Sequence, residues 1–442
     1  MNKRRHKRRG ISLGTIIMLT LVALVLIGFS AILPKLTGNT DVRIDAAELA
    51  VAIDQSVSEL ISAADKNTKS TALTQATILP PESLTLSSTA AQPAQPTLPP
   101  TLTFSLCAAG SIEINSNVQK ALSDDSGYRF SMLFDQLGTA MDADFTIATL
   151  ENNVIPDNKL SGSNIPQIAL SAIRQAGVDA LSVGYYGILE GGMEGLAQTK
   201  SNITSAGMLP YGVHTSEAER NAPVITNVNG VSVALFNYQD DLSSASKKKV
   251  SKEELAYAIV GKDPAIITAD IKAAKQAGAQ VIIVSLCWGK ANATSPTKAQ
   301  QELAQQIADA GADIILGTHS DPLQTVEILT ANRGDDKYHP TLCAYSLGNL
   351  FTHNRDARAN LTSILLHTDV VYNIGTDSVA FDNLTYTPIY TWRGKEDDAT
   401  RYRVLVNDGT YPEFVDANQQ KVMVKCYDLI TKVMESTPVA LK

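Results

Sequence analysis

The 442-residue sequence contains no Gly-rich phosphate loop and no HExxH pair. P-loop nucleotide chemistry and zincin-type peptidase chemistry are therefore without their sequence signatures. Cysteine is scarce as well: Cys107, Cys287, Cys343 and Cys426 show no CxxC or CxxH spacing. That excludes a zinc ribbon and supplies no disulfide framework, while leaving one bridge between unassigned partners open. No internal repeat is visible.

Acidic residues are absent before Asp41, whereas Lys3, Arg4, Arg5, Lys7, Arg8 and Arg9 crowd the first nine positions. Setting those six aside turns the formal net charge of -8 into -14 for the remainder. A body that acidic repels phosphate backbones, and nucleic acid is excluded as a partner.

Charge is also missing from residues 11–33, a run of 23 positions. A bilayer-spanning helix needs about 20 apolar residues, so this run is long enough. Basic residues before it place the N-terminus in the cytoplasm and the rest of the chain outside the cell membrane. A cleaved signal peptide would have a shorter apolar core with a small-x-small site close behind, and here the first Ala-x-Ala, at Ala50 and Ala52, lies well downstream. The expectation is a basic cytoplasmic tail over 1–10 and a signal anchor over 11–33. An amphipathic juxtamembrane helix over 34–66, a Pro/Ser/Thr-rich linker over 67–100 and an extracellular domain over 101–442 follow.

At this length a sizeable core is available without metals or disulfides. Beyond residue 100, short apolar runs alternate with amphipathic stretches: "LTFSLCAAG", "FTIATLEN", "DALSVGYYG", "VSVALFNY", "VIIVSLCWG" and "DIILGTHS" read as strands, and 193–206 and 297–310 as helices. Runs as apolar as 281–286 belong to strands covered on both faces, which gives an α/β fold of αβα or αββα layers. After Pro340 helical periodicity is weak, and the pattern suggests antiparallel strands that finish the sheet.

In such folds the polar residues just past buried strands converge on one edge. They are Ser111 and Glu113, Glu151, Tyr185 and Tyr186, Asn237 to Asp241, Cys287 and Trp288, and Thr318 to Asp321, with Asn349 in the later "SLGNL".

"DAGADIILGTHSDPLQTVE", followed by "YSLGN" and preceded by "CWG", resembles the CapA family of poly-γ-glutamate capsule-synthesis proteins, relatives of calcineurin-like metallophosphoesterases. The likeness covers about residues 101–390. It implies a layered metallophosphoesterase-like αββα sandwich, here preceded by a transmembrane helix.

It also implies a dinuclear metal site built from Gly-Asp, Asn-Leu-Glu, Asn-Asn-His, His-Trp-Gly and Gly-His-His-Pro-His. This chain departs from nearly all of them. Ser111 stands for the aspartate, Tyr185-Tyr186-Gly187 for Asn-Asn-His, Cys287 for a histidine, and Thr318 and Asp321 for two more. Glu151, Trp288, Gly289 and His319 remain, and Glu113 offers a substitute carboxylate.

No cofactor is expected on this count. A single zinc or manganese held by Glu151, Cys287, His319 and Asp321 is the alternative, since four such ligands suit one zinc. Cys287 equally fits a small buried residue, Asp321 before Pro322 a turn, and SLGNL a tight structural turn. Ser111, Tyr185, Tyr186, Trp288 and Asn349 are the expected cleft residues, the aromatics serving as wall or stacking surface. The implied function is capsule or surface-polymer synthesis or export by binding or assembly, with capsule-synthesis membrane proteins and a surface polymer as partners. The alternative is an active metal-dependent hydrolase or transferase.

Overall fold

The first strand, β1 (Thr101–Ile112), carries apolar side chains on both faces. Phe104, Leu106 and Ala108 enter one core cluster, while Cys107 and Ala109 enter another. Because successive strand residues alternate sides, β1 has to lie inside a layered stack. The computed structural model describes residues 101–156, 164–396 and 398–442. The chain divides into two units, Met1–Ala94 and Gln95–Lys442. The expected tail, anchor, amphipathic helix and linker lie outside the described residues. Among the described residues no helix is long and apolar enough to cross a membrane.

Further strands are β2 (Phe145–Leu150), β3 (Ala180–Ser182), β4 (Leu209–Tyr211), β5 (Val224–Val228), β6 (Val231–Tyr238), β7 (Val281–Cys287) and β8 (Ile314–Thr318). After them come β9 (Val326–Ala331), β10 (His339–Ala344), β11 (Asn349–Phe351), β12 (Thr362–Asn373), β13 (Ser378–Glu396), β14 (Ala399–Val406) and β15 (Ala440–Leu441). One sheet runs β14-β13-β12-β1-β2-β3-β4, with β11 joined to β1 and β15 to β13. The other runs β9-β10-β8-β7-β6-β5. Pairing is parallel from β1 through β4 and from β6 through β8 to β10, and antiparallel from β1 through β12 and β13 to β14.

The two sheets pack face to face: Phe104, Leu106 and Ile147 from one meet Val233, Ile283 and Leu316 from the other in a single cluster. On the outer face of the first sheet, Cys107, Ala148 and Leu181 pack with α2 (Ile168–Gln175) and α3 (Gly192–Ser205). On the outer face of the second, Ala234, Ile282 and Val284 pack with α4 (Pro264–Gln276) and α5 (Lys298–Ala310). These are the four αββα layers.

The expected helix over 297–310 forms with Thr297 as its cap. The Thr297 hydroxyl accepts from the Gln300 backbone while the Gln300 side chain accepts from Thr297, and left-handed Gly311 ends the helix. The antiparallel strands expected after Pro340 form, and one further element follows them. Residues Ala417–Met434 form an 18-residue helix, α6, opened by an Asp416/Gln419 capping box. Its Met423, Cys426, Ile430 and Met434 are buried at roughly helical spacing, a stripe the strand-rich sequence before it obscures. All four cysteines are buried free thiols, so the bridge left open by the sequence is not formed.

Candidate functional site

Parallel pairing of β1, β2 and β3 and of β6, β7 and β8 sends their carboxyl ends to one edge of the stack, where the loops meet. β1 reaches it only through a close backbone approach. A Cβ on Gly110 would lie 2.0 Å from the Gly348 carbonyl oxygen. That same oxygen accepts the Ser111 N–H at 3.2 Å. Gly348, at φ 76°, is the glycine of SLGNL and serves as the tight turn expected there.

Beyond this contact the Glu113 N–H donates to the Phe351 carbonyl at 2.9 Å, and the Glu151 N–H to that of Ile112 at 2.9 Å. Glu113 and Glu151 thus leave adjacent parallel strands side by side. Glu113 accepts from the Thr352 hydroxyl at 3.4 Å and lies 3.5 Å from Nδ1 of His353. Asp321 accepts from the Asn349 side-chain amide at 3.4 Å. His319 and Asp321 both sit in left-handed backbone, at φ 85° and 66°. Such conformations in residues other than glycine cost of order 1–3 kcal/mol each and persist where the surroundings enforce them.

Three partly buried carboxylates therefore share the edge. Burial pushes the Glu151 carboxyl up to about 7, the Glu113 and Asp321 charges add to the effect, and a hydrogen bond from Ser111 opposes it. Glu113 is also raised, chiefly by burial, with His353 pulling the other way and Asp321 adding to the rise. Asp321 is raised by burial against the opposing Asn349, His319 and His353. Near neutral pH the Glu151 carboxyl thus holds and releases a proton.

The remaining expected residues take other places. Tyr185 is buried, its ring folded against Gly187, while Tyr186 is 50% exposed. Burial, with the Glu190, Glu151 and Glu113 charges adding, holds the Tyr185 phenol well above its ordinary range. Trp288 is 2% exposed, stacks on Tyr345 at 5.8 Å and donates its Nε1–H to the Tyr345 carbonyl at 2.9 Å. It belongs to the core beneath the edge and presents no ring face to a cleft. Cys287 is likewise buried, and burial, with Glu151 adding, pushes its thiol up to about 12. Its carbonyl, not its sulfur, is engaged, accepting from the Lys262 ammonium at 2.9 Å.

His353 and Thr352 entered no sequence-based expectation, and Glu113 entered only as a substitute for the missing aspartate. The same strand-end rule, carried two residues past β11, reaches His353.

The donor set does not fit two divalent ions, which need a bridging carboxylate and several imidazoles. A serine hydroxyl, a tyrosine ring and a protonated thiol stand at three of the positions. Among the described residues no group of three or more His, Cys, Asp or Glu side chains is placed to hold a metal ion.

The chain is 30% identical over 176 residues to the PGA biosynthesis protein CapA of Bacillus subtilis, covering 38% of this chain and 42% of that protein. It is 27% identical over 184 residues to the capsule biosynthesis protein CapA of Bacillus anthracis, covering 41% of each. The matches thus span less than half the length of either relative. Among solved structures it is similar to the calcineurin-like phosphoesterase YfkN of Bacillus subtilis, at 14% identity and a TM-score of 0.37 over 76% of this chain and 99% of that one. A Mycoplasma pneumoniae phosphatase gives 13% identity and a TM-score of 0.37 over 65% and 94%. Likenesses of that size say nothing about chemistry. Residues 105–354, more than half of the chain, match the family described as bacterial capsule synthesis protein PGA_cap, and the chain belongs to that family.

Proposed function

We propose that this protein is anchored in the cell membrane with its globular part outside. There it serves synthesis or export of a poly-γ-glutamate-type surface polymer by binding or assembly, together with capsule-synthesis membrane proteins. Family membership supports the setting. The donor set at the strand ends supports the mode of action: where two-metal chemistry needs an aspartate and imidazoles, this edge offers Ser111, the buried ring of Tyr185 and the protonated thiol of Cys287.

One observation favours a second reading, a mononuclear metal-dependent hydrolase or transferase. His319 and Asp321 keep strained backbone beside Glu151, and strain of that kind gathers at functional sites. Elemental analysis of the full-length protein, purified without chelator, separates the two. It is paired with polymer measurement in a deletion strain carrying wild type, Cys287→Ser or His319→Ala. We expect no stoichiometric metal and near-wild-type polymer from both variants. One equivalent of zinc or manganese that disappears in both variants, with polymer lost in parallel, establishes the enzyme reading instead.

A further inference from the structure

A groove of about 570 Å³ opens beside the acidic edge, lined by α1 (Ser116–Ala121), the segment after β11, β13 and β14. Three cations face it, Lys120, Arg355 and Arg393, against one carboxylate, Asp356. Among the described residues none of the three cations is in an ion pair, although the chain as a whole is acidic. Arg355 is held by neutral acceptors only, the Thr391 carbonyl at 3.1 Å and the Tyr390 hydroxyl at 3.2 Å, which fix its guanidinium and leave its charge uncompensated. The Arg393 guanidinium lies 5.8 Å from the centre of the Tyr402 ring, which supports it without neutralising it. His353 lines the same groove and stands 3.5 Å from Glu113, so the groove runs up to the carboxylate cluster.

Some cations of this chain do meet carboxylates, as Arg220 meets Asp270 and Arg333 meets Asp313, whereas this groove gathers three cations against a single acid. Three like charges facing one carboxylate leave a net positive groove, and an anion binding among them lowers their mutual repulsion. Planar guanidinium forks match carboxylates, and cations spread along a groove match a chain that repeats its negative charge.

We infer that this groove, through Lys120, Arg355 and Arg393, is the seat of a polycarboxylate chain. The assignment rests on the capsule reading above, since that reading makes the polyanion a γ-linked glutamate polymer.

The test is calorimetric titration of the full-length protein, in detergent, with a γ-linked glutamate oligomer and with polyphosphate, at low and moderate salt. The variants are Lys120→Gln with Arg393→Gln, the charge-keeping Lys120→Arg with Arg393→Lys, and Lys298→Gln as a distant control, with circular dichroism to verify folding. Wild type and the control should bind the oligomer alike, and the double glutamine variant about tenfold more weakly or worse, with a flatter salt dependence. The charge-keeping pair should recover most of the affinity. Oligomer binding by the double glutamine variant within twofold of wild type overturns the groove assignment, as does wild type that binds no oligomer. Preference for polyphosphate, lost in the glutamine variant, overturns the polycarboxylate. Polymer production in the deletion strain reports separately on the capsule reading. Polymer lost on deletion, with oligomer binding untouched by the glutamine pair, sinks the groove alone; polymer unaffected by deletion sinks the reading it rests on.

Discussion

Replacing Glu151 by glutamine tests the electrostatics of the strand-end cluster directly. In the folded protein the Glu151 carboxyl is displaced from an ordinary 4.5 to about 7, mainly by burial, with Glu113 and Asp321 adding repulsion. Between those two values the folded state keeps a proton that the unfolded state has lost. Stability contributed by that proton is complete below about pH 4.5 and disappears as pH rises through about 7. At about 1.4 kcal/mol for each tenfold change, the whole effect is about 3 kcal/mol. Glutamine is a neutral near-isostere of the protonated acid and removes the dependence. Urea unfolding of residues 95–442 at pH 4.5, 6 and 8 should show wild type losing stability toward alkaline pH more steeply than Glu151→Gln. The two proteins should be nearly equal at pH 4.5, with the variant more stable by about 2–3 kcal/mol at pH 8. A variant less stable than wild type at pH 8, or two proteins with parallel pH profiles, would refute the burial-driven shift. Zinc or manganese that lowers the wild-type titration midpoint would instead place a cation beside this carboxylate.

Gly110→Ala should destabilise the domain by about 3 kcal/mol or more, because its Cβ would meet the Gly348 carbonyl oxygen at 2.0 Å and neither backbone can retreat without breaking the β1 to β11 pairing. Gly195→Ala, in α3 with nothing within 4 Å of the new Cβ, should be neutral or gain up to about 1 kcal/mol, and the same urea midpoints decide both. Thiol titration at neutral pH should find no reactive cysteine in the native chain and four in denaturant. Burial pushes Cys107, Cys287 and Cys426 up to about 12 and holds Cys343 well above its ordinary value. Rapid native labelling that Cys287→Ser abolishes, or fewer than four thiols after unfolding, would contradict the buried, unbridged assignment.

Local pattern in the sequence determined a good deal. Apolar runs such as "VIIVSLC" require strands covered on both faces, and the alternation of such runs with amphipathic stretches requires helices outside paired sheets. That much is one-dimensional, because side-chain period and helix caps are properties of neighbours along the chain. The strand-end motifs were legible for the same reason, and with them the capsule-synthesis family and the departures at Ser111, Tyr185, Cys287, Thr318 and Asp321. Helix α6 was legible in principle through its Asp416 cap and its buried stripe, but the strand-rich stretch before it set the wrong period.

What only the tertiary structure decided is which side chains meet. Glu113 and His353 are distant in sequence and come together because β11 pairs with β1 in a register allowed by two glycines. Tyr185 turns inward while Tyr186 stays exposed, and Trp288 drops into the core under the edge it was expected to line. Lys120, Arg355 and Arg393 come from three separate segments to share one groove. Register, loop path and rotamer set such meetings, and a shift of one residue in a strand sends every side chain to the opposite face. Residue types in a row carry the chemistry available to this chain; the long-range pairing of its strands carries the arrangement in which that chemistry can be used.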